Sequence, residues 1–275
     1  MTKRSVPEGS YVDLDNGLTL HYHDEGSGIP LLFVHGSGPG ASGWSNFKGN
    51  TPFFNAGGYR TLVPDLPGYG YSSKPEDAEY TLEFMVNALE QFLAKLKIDK
   101  VVLVGNSMGG AVCIRIALNN PALVHKLILM APGGLETREV YMEMEGIQSM
   151  MRAFFSKKGI TKEGMQKTFK LQLFNESLIT EAIINERYEI AITQPKTVIS
   201  TMRIPNQTED LHKLSCPILG FWGMNDKFCP STGAMTLAKN CSNIQMILLS
   251  ECGHWVMVEH ADTFNQQSLT FLNKD

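Results

Sequence analysis

Val101-Val102-Leu103-Val104 runs directly into Gly105-Asn106-Ser107-Met108-Gly109-Gly110, and a helical pattern begins at once from Ala111. A continuous apolar run suits a strand covered on both faces. The following G-x-S-x-G is a nucleophile elbow, a strand-to-helix turn that lifts a serine hydroxyl to the end of a sheet. Its glycines are required because a Cβ at either flank would crowd the turn. The turn also leaves the Met108 N–H at a helix N-terminus, where developing negative charge is stabilised.

The same rhythm extends outward from this stretch. Further apolar runs occupy residues 30–34, 59–63, 127–130, 218–222 and 246–249, with helical patterns over 81–96, 109–118, 231–239 and 260–272. Strand and helix in alternation predict an α/β fold with a doubly wound, mostly parallel sheet. Ahead of it, residues 11–14, the Asn16-Gly17 turn and alternating Leu18, Leu20 and Tyr22 predict a hairpin. Residues 135–205 break the rhythm. They carry no clear strand and are rich in Met, Phe, Glu and Lys at helical spacing. The expectation is a core of 1–134 and 206–275 with a helical lid at 135–205, over the strand ends where ligands bind in such sheets.

Composition bounds the function. The chain has 275 residues, 43 % hydrophobic and 19 % charged, with 24 basic and 28 acidic side chains for a net charge of −4. That is an ordinary globular composition. A mildly acidic chain without a basic run argues against nucleic acid as a partner. No apolar stretch is long enough for a membrane span, and the N-terminus has no secretory h-region. The five cysteines are scattered without a C-x-x-C pair, which predicts neither a disulfide framework nor a zinc site and favours a reducing cytoplasm. No cofactor and no metal are expected. His21 and His23 lie two apart on a strand but have no further ligand cluster.

A serine hydroxyl needs a base near neutral pH. His254, in Glu251-Cys252-Gly253-His254-Trp255 beyond a strand, is the candidate, and Asp226, beyond the preceding strand, is its orienting acid. Ser107, Asp226 and His254 follow the chain order of the α/β-hydrolase triad. His35-Gly36-Ser37-Gly38-Pro39-Gly40 follows the third strand, where that fold places a second oxyanion donor. Ser37 or Gly38 can donate there beside Met108, and the Ser37 N–H is the expected donor. A dinucleotide loop is disfavoured by Pro39 and the triad. Ala41 stands where the third glycine of that motif would be. Cys252 lacks an elbow and reads as structural.

Several segments together resemble the meta-cleavage product hydrolases, carbon–carbon bond hydrolases of the α/β-hydrolase fold. They are Gly36-Ser37-Gly38-Pro39-Gly40-Ala41, Gly43-Trp44-Ser45-Asn46, Gly105-Asn106-Ser107-Met108-Gly109-Gly110, Leu129-Met130-Ala131-Pro132-Gly133-Gly134 and Cys252-Gly253-His254-Trp255. Ser177-Leu178-Ile179-Thr180, Arg187 and Gln194-Pro195 resemble the family's lid. The resemblance implies a triad of Ser107, Asp226 and His254 and oxyanion donors Ser37 and Met108. It also implies that Asn46, Asn106 and Arg187 hold the carboxylate and 2-oxo end of a dienoate, with Gly36, Gly38, Phe228 and Trp255 about the substrate. An arginine fork suits a carboxylate in its own right. The implied reaction hydrolyses 2-hydroxy-6-oxohexa-2,4-dienoate-type ring-fission products to 2-hydroxypenta-2,4-dienoate and a carboxylic acid. The implied partner is a small molecule, and the implied assembly a homodimer or larger homo-oligomer.

One segment departs. Asp65-Leu66-Pro67-Gly68-Tyr69-Gly70-Tyr71-Ser72 looks like α/β-hydrolases at large. It keeps open a carboxylesterase for small or aromatic esters. A non-catalytic ligand receptor on the same fold is the second alternative. Haloalkane dehalogenase chemistry is disfavoured, because the elbow carries a serine where a carboxylate would stand. Met142, Met144, Met150, Met151, Phe154 and Phe155 form either an adaptable apolar wall of the pocket or the lid's own core.

Overall fold

The computed structural model describes residues 6–274. Eight strands form one sheet: β1 (Ser10–Asp13), β2 (Thr19–Gly26), β3 (Pro30–Val34), β4 (Arg60–Pro64), β5 (Val101–Asn106), β6 (Val124–Met130), β7 (Ile218–Gly223) and β8 (Ile244–Leu249). Their spatial order is β1-β2-β4-β3-β5-β6-β7-β8. β1, β2 and β4 pair antiparallel, and every later pairing is parallel. β3 and β5 lie side by side although β4 intervenes in sequence. The winding therefore reverses between them, and this is where such sheets bind ligands.

The helices flank and cover this sheet. They are α1 (Gly43–Phe47), α2 (Thr51–Ala56), α3 (Leu82–Lys95), α4 (Met108–Asn119), α5 (Arg138–Glu143), α6 (Glu145–Phe154), α7 (Lys162–Gln172), α8 (Glu181–Ala191), α9 (Thr197–Ser200), α10 (Thr232–Asn240), α11 (Val256–Glu259) and α12 (Ala261–Leu272). Alternate residues of the central strands enter two separate cores. Leu32, Val34, Leu103 and Leu129 pack with α3 and α4, while Phe33, Val102, Val104 and Phe221 pack with α12. Period-2 alternation with both faces apolar is why those strands read as unbroken hydrophobic runs.

The expected strands are all present, with β8 starting two residues earlier than its apolar run. Helices α1 and α2 were not anticipated. They are short and rest on local caps: Ser42 and Ser45 form a capping box on α1, and Pro52 stands in the first turn of α2. Between β6 and β7 the chain forms α5 to α9. Met165, Phe169, Leu173 and Ile184 from this insertion join the core that contains Phe33 and Phe221, so it is packed onto the sheet's upper edge.

Candidate active site

Four loops leave the carboxyl ends of β3, β5, β7 and β8 at one edge of the sheet, carrying Ser37, Ser107, Asp226 and His254 respectively. At the elbow, Ser107 has φ 56° and ψ −122°, in the left-handed half of conformational space that costs a side-chain-bearing residue about 1–3 kcal/mol. The surroundings hold it there. Its N–H donates to Met130 O at 3.0 Å, and its carbonyl accepts from Gly133 N–H at 2.9 Å and Ala111 N–H at 3.1 Å. A Cβ on Gly105 would lie 2.7 Å from Gly109 O, and one on Gly109 would strike Val34 O.

His254 Nδ1 lies 2.7 Å from Asp226 Oδ2, with both residues buried. The other carboxylate oxygen of Asp226 accepts the Phe228 and Cys229 N–H groups at 2.7 and 3.0 Å, which locks its plane. The Phe228 ring stacks on the imidazole with centroids 5.1 Å apart at 24°. Among the hydrogen bonds of the described residues, none joins Ser107 Oγ to His254 Nε2. Close by, burial and Asp226 push the Cys229 thiol far up, and the Ser107 side chain offsets this in part. Ser107 and His254 line the same small cavity.

Polar groups line much of that cavity, which gathers most of the expected residues: Gly36, Ser37, Gly38, Asn46, Asn106, Ser107, Arg187, Phe228, His254 and Trp255. Arg187 is 1 % exposed, yet its guanidinium meets only neutral acceptors: Pro39 O from Nε at 3.1 Å, Asn46 Oδ1 at 3.2 Å and Ser45 Oγ at 3.4 Å from Nη1. It lies over the Trp255 and Phe169 rings at 5.0 and 5.5 Å. The neighbouring Glu186 is engaged by Lys48 at 2.6 Å. Burial pushes the guanidinium down to about 9, so it stays charged at neutral pH. A buried cation without an anion is costly unless one arrives.

Asn106 differs from its expected use. Its amide donates to two main-chain carbonyls, Met130 O at 3.2 Å and His254 O at 3.4 Å, while Oδ1 is buried with no protein partner. It therefore offers the cavity an acceptor and has no free donor for a carboxylate. The loop after β3 is pinned by His35. Its Nδ1 donates to Gly36 O at 2.8 Å and its Nε2 accepts from Leu66 N–H at 3.0 Å. Burial drives this imidazole down to about 4 and keeps it neutral. The Met108 N–H opens α4 and has no partner within that helix.

A second cavity, of about 630 Å³, meets the first at Ser37, Ser107, Ile147 and Met150. Met108, Tyr141, Met142, Met150, Met151, Ile199 and Met202 line it. Of the residues expected as either wall or lid core, Met142, Met150 and Met151 face this space. Phe154 is buried in the core and Phe155 is 44 % exposed. Sequence reasoning did not single out Gln172, Ile147 or Cys229. The first two lie on insertion helices without a motif, and Cys229 was visible only as one of five cysteines. Cys252 is buried with its thiol raised to about 12, an unreactive setting. Among the described residues no cluster of three or more His, Cys, Asp or Glu side chains is placed to hold a metal, and no helix is long and apolar enough to cross a membrane.

Comparison with known proteins gives a consistent result. A family model described as alpha/beta hydrolase fold matches residues 29–261. The 2-hydroxy-6-oxo-6-phenylhexa-2,4-dienoate hydrolase of Burkholderia cepacia is 35 % identical, over 92 % of this chain and 91 % of its own. A 2-hydroxy-6-oxononadienedioate/2-hydroxy-6-oxononatrienedioate hydrolase of Dechloromonas aromatica is 36 % identical, over 94 % of this chain and 92 % of its own. Among solved structures, a meta-cleavage product hydrolase from Pseudomonas fluorescens IP01, a mutant complexed with acetates, superposes with a TM-score of 0.86 at 27 % identity. That match covers 96 % of this chain and 97 % of the other.

Proposed function

The chain belongs to the alpha/beta hydrolase family and, within it, to the meta-cleavage product hydrolases, and on that premise we propose that it hydrolyses the C5–C6 bond of a 2-hydroxy-6-oxohexa-2,4-dienoate. The observation that carries this reading is Arg187, a buried guanidinium with no anionic partner, beside Ser107 and His254 in one cavity. A neutral ester has no group for that cation, whereas a dienoate brings a carboxylate.

In the proposed reaction the carboxylate sits against Arg187 and Asn46, and the 2-hydroxyl donates to the open Oδ1 of Asn106. A carbanion is a poor leaving group, so the dienol first becomes its keto tautomer. The 2-hydroxyl proton is lost and C5 gains one, with His254 Nε2 as shuttle while Asp226 steadies Nδ1–H. Rotation about the Cα–Cβ bond of Ser107 brings its hydroxyl to the imidazole. Ser107, or a water it supports, then attacks the C6 carbonyl. The oxyanion is met by the Ser37 and Met108 N–H groups. The C5–C6 electron pair departs through the C3–C4 double bond onto the C2 carbonyl oxygen. Protonation there yields 2-hydroxypenta-2,4-dienoate; C6 leaves as a carboxylic acid directly where water attacked, and where Ser107 attacked it leaves after a water hydrolyses the C6 ester and frees the serine hydroxyl. Residues 135–205 act as the lid over this site. The 630 Å³ cavity receives the C6 substituent. Self-association and a cytoplasmic location belong to the same reading, and sedimentation tests the former.

The test is a rate comparison. Ring-fission products are yellow dienolates, and their bleaching should exceed p-nitrophenyl ester cleavage in kcat/KM. Ser107→Ala should lower bleaching by several orders of magnitude with the substrate still bound. A higher kcat/KM for the ester would establish the carboxylesterase alternative instead.

A further inference from the structure

Glu259 closes α11, five residues beyond His254, and is the acceptor for three main-chain amides from two distant parts of the chain. One carboxylate oxygen accepts from Gly253 N–H at 2.7 Å. The other accepts from Phe174 N–H at 2.7 Å and Asn175 N–H at 2.9 Å, just after α7 in the insertion. A fourth bond crosses the same seam, from His254 N–H to Gln172 O at 2.8 Å. The approach is so close that a Cβ on Gly253 would stand 2.5 Å from Gln172 O. The main chain on both sides of His254 is thereby tied to the end of α7. Three bonds to one ionised acceptor are each about twice as strong as neutral ones.

The structure assigns Glu259 a positioning role: its carboxylate fastens the insertion to the loop that carries His254, and so fixes where the imidazole stands above Ser107. This rests on the reading of His254 as the base. Both oxygens are needed as acceptors. An amide in place of the carboxylate turns an NH₂ group against either the Gly253 N–H or the Phe174 and Asn175 pair. Glutamine is therefore a poor substitute despite its equal size. The consequence is that the insertion is part of the base's support, and loosening it displaces the proton shuttle.

The test uses the full-length chain with Glu259→Gln, and Glu259→Asp as the milder variant should the first not fold. Two quantities are read in each folded protein. One is kcat, on whichever of the dienoate and the p-nitrophenyl ester the wild type turns over. The other is the titration of the His254 imidazole followed by NMR without substrate. Glu259→Gln should lower kcat by about tenfold or more while KM moves less than about threefold, and the His254 midpoint should shift with the pH profile of kcat. Both must move. A folded variant in which either stays at the wild-type value overturns the assignment, whatever happens to its Tm. Wild type that fails on the dienoate but cleaves the ester overturns the proposed function alone, because the imidazole titration needs no substrate.

Discussion

Arg187 is where burial and charge conflict most. The nearby Glu186, already engaged by Lys48, offsets its desolvation only in part, and its bonds to Pro39, Asn46 and Ser45 are to neutral oxygens. Such an arrangement is tolerated when a ligand completes it. Replacing Arg187 by Ala should therefore raise KM for a dienoate by about a hundredfold and change that for a p-nitrophenyl ester less than about threefold. Equal losses on both substrates would remove the carboxylate role. At the same scale Ser107 shows that strain and function coincide. Its positive φ is enforced by Gly133, Ala111 and Met130 around it, and the backbone aims the hydroxyl at the rim of the sheet.

Among the elements, α6 has an unusual seat. Gly146, in its first turn, donates its N–H to Lys227 O at 2.8 Å, and a Cβ there would enter the Phe228 ring. That ring is the one stacked on His254. The helix thus presses on the acid loop through a residue with no side chain. Gly146→Ala should lower kcat by about tenfold through displacement of Phe228. Combined with Phe228→Leu, which vacates the space, the total loss should be smaller than the product of the two single losses. Kinetic constants for the four proteins check this, and losses that multiply would show the two positions to be independent. The elbow was legible in sequence because its demands are local: a strand, two close approaches and a helix within a dozen residues. The insertion's internal order was not. Helices α6 and α7 bury Met150, Phe154, Met165 and Phe169, whereas α5 buries nothing and α8 buries Arg187, and contact with the rest of the fold decides which residues turn inward.

For the molecule as a whole, a more polar and a more apolar cavity meet at Ser107. The polar one holds Arg187, Asn46 and Asn106. The larger is walled by methionine and isoleucine, and of its charged residues Glu83, Arg138 and Arg203 stand exposed while Glu136 is half-buried. A substrate must lie with its acid end in the first and its C6 substituent in the second. A phenyl or branched alkyl substituent should be turned over with at least about tenfold higher kcat/KM than a carboxyethyl one, since an apolar wall gives a second carboxylate no compensation for lost water. Measured rates on such a substrate pair decide it. A preference for carboxyethyl would mean that Arg138 or Arg203 reaches inward.

The sequence by itself determined the sheet, its winding and the points where the serine, acid and base loops leave it. Those properties are written in short-range patterns of apolar runs, glycines and helix starts, which hold wherever the segment goes. Tertiary structure alone decided that a guanidinium 80 residues beyond the serine is buried without an ion-pair partner, that Asn106 spends its donor on the backbone, and that Glu259 gathers amides from residues 174 and 175. Each of those outcomes depends on which groups remain unpaired after distant surfaces close. Hydrogen-bond satisfaction in a buried space is a property of the whole packing, which no local pattern encodes.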